Sequence, residues 1–93
     1  MNHTFACKET LNIWEGRRSR KLPCEIQDKA LRKLRQIDAA SVLDDIKNPP
    51  GNRLEALTGD RKGQHSIRIN NQWRICFEWR HDGAYGIEIV DYH

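Results

Sequence analysis

Two arginines, Arg68 and Arg74, flank the short polar stretch Asn70-Asn71-Gln72. A guanidinium group offers parallel N–H donors that match the oxygens of phosphate, so two on one surface suit an anion, above all a phosphate. Their spacing decides whether they share a surface. His65–Asn70 alternates, with Ile67 and Ile69 on one side and Ser66, Arg68 and Asn70 on the other. Trp73–Arg80 does the same, setting Trp73, Ile75, Phe77 and Trp79 against Arg74, Cys76, Glu78 and Arg80. Alternation of this kind marks half-buried strands. For both apolar rows to share a face, the hairpin must pair Ile69 with Trp73, Ile67 with Ile75 and therefore Arg68 with Arg74; a two-residue loop would turn one row outward. Like charges opposed across a sheet destabilise it. Either both side chains splay into water or they hold an anion.

The end of the chain brings further chemistry to this pair. After a turn at His81-Asp82-Gly83, Tyr85–Tyr92 reads as another strand. Pairing Phe77 with Ile87, Ile75 with Ile89 and Arg74 with Val90 keeps its apolar row inside and makes Tyr92 a diagonal neighbour of Arg74. Strict alternation turns Asp91 and His93 to the opposite face; if the terminal residues leave the ladder, Asp91, Tyr92 and His93 all come beside the arginines. Taken alone, Tyr92 and His93 read as a loose chain end. Together with Glu55, these residues form a set of acid–base groups next to positive charge. Such a set suits RNA cleavage without a metal: a base takes the proton of a ribose 2′-hydroxyl, which attacks the adjacent phosphate. An acid then protonates the leaving 5′-oxygen, and the arginines stabilise the crowded phosphorane. Histidine as a residue type changes charge near neutrality, so His93 can serve as base or acid, and Tyr92 can stack on a nucleobase or take part in proton transfer.

Other chemistries have no support in the pattern. His3, His65, His81 and His93 lack ligand spacing, and no HExxH or paired Cys/His motif occurs, so no metal is expected. A Walker loop, a GxSxG motif and a dinucleotide fingerprint are likewise missing, so no cofactor is expected either. Cys7, Cys24 and Cys76 are odd in number and widely spaced, reading as reduced thiols of a cytoplasmic protein. No apolar run approaches membrane-spanning length, and no signal-peptide core opens the chain.

The elements that must position these residues follow from the rest of the pattern. Ninety-three residues make one domain, 1–93. Asn2–Cys7 reads as an edge strand and Glu9–Glu15 as a short helix. A helix is expected from Pro23 to about Ala40, with Ile26, Ala30, Leu31, Leu34 and Ile37 as its buried stripe and Lys29, Arg32, Lys33 and Arg35 on its wetter side. Val42–Ile46 adds a helical turn, and Asn48-Pro49-Pro50-Gly51-Asn52 breaks the chain before a short strand at Arg53–Leu57. The order predicts an α+β fold, an amino-terminal strand and helices packed on one face of an antiparallel sheet. Between Lys8 and Arg35 nine basic residues face four acidic ones, a local balance of +5 against +3 for the whole chain. Runs of charge often mark nothing beyond a solvated face. Here Arg17, Arg18, Arg20 and Lys21, with Lys29, Arg32 and Lys33, and with Arg61 and Lys62 in the later polar loop, suggest a polyanion. RNA fits better than a membrane, since no amphipathic insertion helix accompanies them.

The run PPGNRLEALTGDRKGQHSIRINNQWRICFEW, with EIVDYH at the chain end, resembles the HigB branch of the RelE-like toxins, components of bacterial type II toxin–antitoxin systems. The spacing LxxLxGxRxGxxSIRxNxxWRxxF and the terminal DYH carry the resemblance jointly, and it extends over essentially the whole chain. It implies a small microbial-ribonuclease-type fold and an endoribonuclease that cuts messenger RNA in the ribosomal A site. By the same resemblance Arg68 and Arg74 handle phosphate, Asp91, Tyr92 and His93 fill the carboxyl-terminal active-site positions, and the basic residues of Gly16–Arg35 bear on ribosomal RNA. The implied partner is a HigA-like helix-turn-helix antitoxin, through which the complex would contact operator DNA; it either masks the active site or blocks access to the ribosome. Two positions depart from some relatives: Glu55 stands where a catalytic histidine occurs, and Thr58 where a lysine does. A carboxylate accepts a proton readily but is a poor donor at neutral pH, so which of Glu55, Asp91 and His93 is base and which is acid stays open. The glutamate also motivates a rival reading, a module that binds RNA or antitoxin with weak or lost nuclease activity.

Overall fold

Residues 1–92 are described by the structure, a computed structural model. Two helices, α1 (Lys8–Trp14) and α2 (Cys24–Ala39), precede four strands: β1 (Glu55–Ala56), β2 (His65–Arg68), β3 (Trp73–Arg80) and β4 (Gly83–Asp91). The strands form one antiparallel sheet in the order β1-β2-β3-β4; short 3₁₀ turns at Leu43–Lys47 and Pro50–Asn52 link the helical half to it, and another at Gly59–Arg61 lies between β1 and β2. This is the α+β architecture that the pattern of elements predicts.

The apolar rows of the strands do share one face. Ile67 pairs with Ile75 and Ile75 with Ile89. With Ile69, Phe77, Ala84 and Ile87 they meet Ile13 of α1 and Ile26, Ala30, Leu34 and Ile37 of α2 in the core. Helix-period and strand-period stripes thus bury each other, as a two-layer domain requires. The Arg68–Arg74 pairing is present as register demands, on the opposite, polar face.

Two details of the sheet depart from plain alternation. Between Cys76 and Glu78 the register with β4 shifts, so that Cys76 opposes Glu88 but Glu78 opposes Tyr85. Gly86, at φ +60°, supplies the left-handed residue of this bulge. The bulge returns Ala84, rather than Tyr85, to the apolar side opposite Trp79. The amino-terminal segment, expected as an edge strand, makes only isolated parallel bridges, Asn2 with Ala84 and Phe5 with Ile87. It still satisfies the outer rim of β4: the Ile87 amide donates to the Thr4 carbonyl at 3.0 Å, and that of Gly86 to Thr4 Oγ1 at 2.7 Å. Thr10 Oγ1 of α1 accepts the Ile89 amide at 3.0 Å. An edge covered in this way offers no template for another strand.

The basic connector between the helices is anchored from beneath. Gln27 is buried, its Oε1 accepting the Ser19 amide at 3.0 Å and its Nε2 donating to the Ser19 and Leu22 carbonyls, each at 2.9 Å. Ser19 Oγ donates to Glu9 Oε1 at 2.5 Å and accepts the Lys21 amide at 3.1 Å. Arg17, Arg18, Arg20 and Lys21 are therefore exposed side chains on a fixed backbone. Replacing Gln27 by Leu keeps the volume and strands three backbone groups. We expect a loss of about 1–3 kcal/mol in urea unfolding and faster trypsin nicking within Arg17–Lys21.

Candidate active site

Arg74 lies in the middle of the polar sheet face and is only 8% exposed. A buried guanidinium must have acceptors, because an uncompensated charge inside a protein is strongly unfavourable. The fold provides them from two strands and a loop. Arg74 Nε donates to Ser66 Oγ at 2.7 Å, and Nη2 donates to the Arg53 carbonyl at 2.7 Å and to the Ser66 carbonyl at 3.3 Å. Glu55 Oε1 stands 3.6 Å from Nη2, its side chain 51% exposed. The Tyr92 ring stacks on the outer side, its centroid 5.7 Å from Arg74 Cζ. Among the described residues, no acceptor engages Nη1. The expected fork is thus half occupied by the protein, and Nη1 is the corner left to meet an anion.

Arg68 turns the other way. Although directly opposite Arg74 in the ladder, it donates to Asn71 Oδ1 in the hairpin loop. Separate acceptors relieve the repulsion between the pair and leave both guanidiniums on the same face. Glu55 joins them by register, since it pairs with Ser66, which faces Cys76, which faces Glu88. Cys76 is fully buried in this row, and burial pushes its thiol pKa up. No described group of three or more His, Cys, Asp or Glu could hold a metal ion.

The chain end divides. Tyr92 joins the arginines, but Asp91 pairs with Trp73 and so belongs to the opposite face, where its Oδ2 accepts Gln72 Nε2 at 3.1 Å. The alternation of β4 persists to its end and keeps Asp91 away from Arg74. His93 lies outside the described residues. Ser66 and the Arg53 carbonyl were not anticipated. Ser66 could have been found, since it alternates onto the same side as Arg68; a backbone carbonyl leaves no mark in a sequence.

The basic residues also sort themselves. Arg20, Lys21, Lys29, Arg32 and Lys62 are exposed, while Arg17 and Arg18 form open ion pairs with Glu15 at 3.5 Å and Asp28 at 3.4 Å. Pairs so exposed contribute little and are easily exchanged for another anion. Lys8, Arg18, Arg20 and Lys21 surround a hollow of about 340 Å³. The connector joins the two helices, which pack on the apolar side of the sheet, whereas Arg68 and Arg74 belong to its polar face. Arg61 reaches inward, with Nη2 3.0 Å from Glu88 Oε1 and Nη1 3.1 Å from Gln64 Oε1, and the bond to Glu88 holds its proton more tightly. Lys33 requires a correction. Expected on the wet side of α2, it is buried at 8% exposure and donates to Asn52 Oδ1, because the Pro50–Asn52 turn folds over that part of the helix.

A family profile described as "RelE-like toxin of type II toxin-antitoxin system HigB" matches residues 4–93. The chain is similar to "Toxin HigB-1" of Vibrio cholerae serotype O1, with 45% identity over 65 residues, 70% of this chain and 68% of that protein. It is also similar to "Endoribonuclease HigB" of Proteus vulgaris, with 33% identity over 72 residues, 77% of each chain.

Burial, and then the charges of Lys29, Arg32 and Arg68, lower the pKa of Lys33 below the ordinary lysine value of 10.5. In the window between the lowered value and 10.5, the unfolded chain holds more protons than the folded one. Stability contributed by this group therefore rises with pH across that window. Measured by urea unfolding from neutral pH upward, the stability difference between wild type and Lys33→Met should shift toward wild type as pH increases.

Proposed function

We propose that this chain, which belongs to the HigB-like family of RelE-like toxins of type II toxin–antitoxin systems, is an endoribonuclease that cuts messenger RNA on the translating ribosome. The observation that carries the reading is the half-occupied guanidinium of Arg74, whose Nη1 meets no acceptor among the described residues, beside Arg68, Glu55 and Tyr92. The similarity to the Proteus vulgaris endoribonuclease supports the same activity.

In this reading a scissile phosphate sits against Arg74 Nη1 and the Arg68 guanidinium, which stabilise the charge that grows on its oxygens in the phosphorane. Tyr92, 45% exposed, stacks on a neighbouring base and holds the strand in line. Glu55 takes the proton of the 2′-hydroxyl, its carboxylate kept within reach by the 3.6 Å contact to Arg74. His93 is the candidate acid for the leaving 5′-oxygen. Asp91, bonded to Gln72 across the sheet, serves this end of the chain rather than the phosphate. The two arginines supply the positive charge that a metal would otherwise bring.

Dependence on the ribosome is supported by the second basic surface. A domain with Arg68 and Arg74 on its polar sheet face, Arg17, Arg18, Arg20 and Lys21 on the connector, and Lys29 and Arg32 on α2, suits a position between message and ribosomal RNA. The toxin's partner is an antitoxin; we take it to be a HigA-like helix-turn-helix protein, with operator DNA reached only through it. The rival reading, a binding module with little nuclease activity, draws on Glu55 in place of histidine.

Purified, antitoxin-free protein added to a translating extract, with message 5′ ends mapped by primer extension, tests this. Cuts within codons on translated message alone are expected, and Arg74→Ala should reduce them by about 10²–10³-fold, the usual effect of removing a donor to a developing anion. Cuts on naked message too would mean a free ribonuclease, and none on either would leave the binding module.

A further inference from the structure

Arg53 is the one non-glycine residue among those described with a positive φ, at φ 46° and ψ 56°. A left-handed conformation is unfavourable for a side chain of this kind and persists only where its surroundings impose it. The side chain does not impose it, since Arg53 is exposed. The constraint comes from the backbone on both sides. Asn52 is fully buried, donating through Nδ2 to the Ile46 carbonyl and to Gln36 Oε1, each at 3.0 Å, and accepting Lys33 Nζ at Oδ1. Its amide closes the turn on the Pro49 carbonyl at 2.9 Å, and that of Arg53 donates to the Pro50 carbonyl at 3.1 Å. Two residues further on, Glu55 is committed to its pairing with Ser66. The chain must change direction between these anchors, and the left-handed residue makes that change.

The outcome is one contact: the Arg53 carbonyl accepts Arg74 Nη2 at 2.7 Å. Together with the Ser66 carbonyl it occupies both protons of Nη2, while Ser66 Oγ holds Nε. The plane of the guanidinium is fixed on that edge, so Nη1 has one direction to face. We infer that Asn52 and the left-handed turn at Arg53 are positioning elements for Arg74, aiming it at the substrate phosphate through the Arg53 carbonyl. Lys33 acts one step further back, holding Asn52. This rests on the reading of Arg74 as the phosphate-holding group.

A charge-matched series separates backbone from side chain. Arg53→Gly, Arg53→Asn and Arg53→Val all lose the same charge, but glycine and asparagine adopt the left-handed region and valine resists it. With programmed ribosomes and saturating protein, we expect Arg53→Gly and Arg53→Asn to cut within about threefold of wild type, and Arg53→Val to lose about tenfold or more. The half-saturating concentration should change by less than about threefold, as for a group acting on the reacting phosphate rather than on binding. Nitrogen-15 spectra supply a readout independent of cutting: the Arg74 Nε–H signal should stay resolved and slow to exchange in wild type and Arg53→Gly, and broaden in Arg53→Val. If thermal melting shows Arg53→Val unfolded, Arg53→Ala, with a smaller penalty, should fall between glycine and wild type on one side and full loss on the other. Equal cutting by the valine (or, failing that, alanine) and glycine variants, or an unchanged Arg74 signal, overturns the inference. Equal loss in all three variants overturns it too, pointing to the Arg53 side chain. Arg74→Ala is the control: if that variant still cuts, the reading of Arg74 fails, and the spectra alone decide its positioning.

Discussion

A charged guanidinium set almost wholly inside the polar face of a four-stranded sheet constrains everything near it. Arg74 can remain there only while Ser66, the Arg53 carbonyl and Glu55 are held where they are. Each acceptor belongs to a different piece of chain, and each piece is tied down for its own reason: β2 by the apolar row beneath it, β1 by pairing, Arg53 by the buried Asn52. Removing any one leaves a buried charge with too few partners, which costs more than the contact itself is worth in isolation. The same arrangement that stabilises the charge also determines which of its protons are left over. Fold and chemistry are joined at this residue.

Division of labour across the sheet follows from the period of the strands. Odd-numbered residues of β3 build the core with both helices, and even-numbered ones carry the polar groups. The apolar side is closed by α1 and α2, and the rim of β4 by the amino-terminal segment and Thr10, so the polar face is the broad surface of the sheet that neither helix covers. A second cationic surface rests on the helical side, on a connector whose backbone is pinned by Gln27 and Ser19. Two such cationic regions on one small domain favour a setting rich in nucleic acid.

Much of this was legible in the sequence, and for a physical reason. A strand buried on one face fixes its register, so the rows Ile67/Ile69 and Trp73/Ile75/Phe77 were enough to bring Arg68 opposite Arg74 and Tyr92 diagonal to it. The same rule carried Asp91 to the far face. What escaped was governed by tertiary contacts. Lys33 reads as part of a wet helical face until the Pro50–Asn52 turn, far along the chain, covers it and supplies Asn52 as acceptor. The bulge at Gly86 leaves the pattern of β4 intact on one side and shifts it on the other, which no alternation count detects. The left-handed Arg53 carries no glycine or asparagine to mark its turn, and its function lies in a carbonyl common to every residue.

Attack by the ribose 2′-hydroxyl at a phosphate held by Arg74 is the central step of the proposed reaction. The direct test is a message carrying a single 2′-deoxynucleotide immediately 5′ of a mapped cut, translated in the presence of the protein. Cutting should disappear at that site alone, and the upstream fragment of unmodified message should end in a 2′,3′-cyclic phosphate. Continued cutting at the deoxy site, or an upstream fragment ending in a free 3′-hydroxyl, would contradict it.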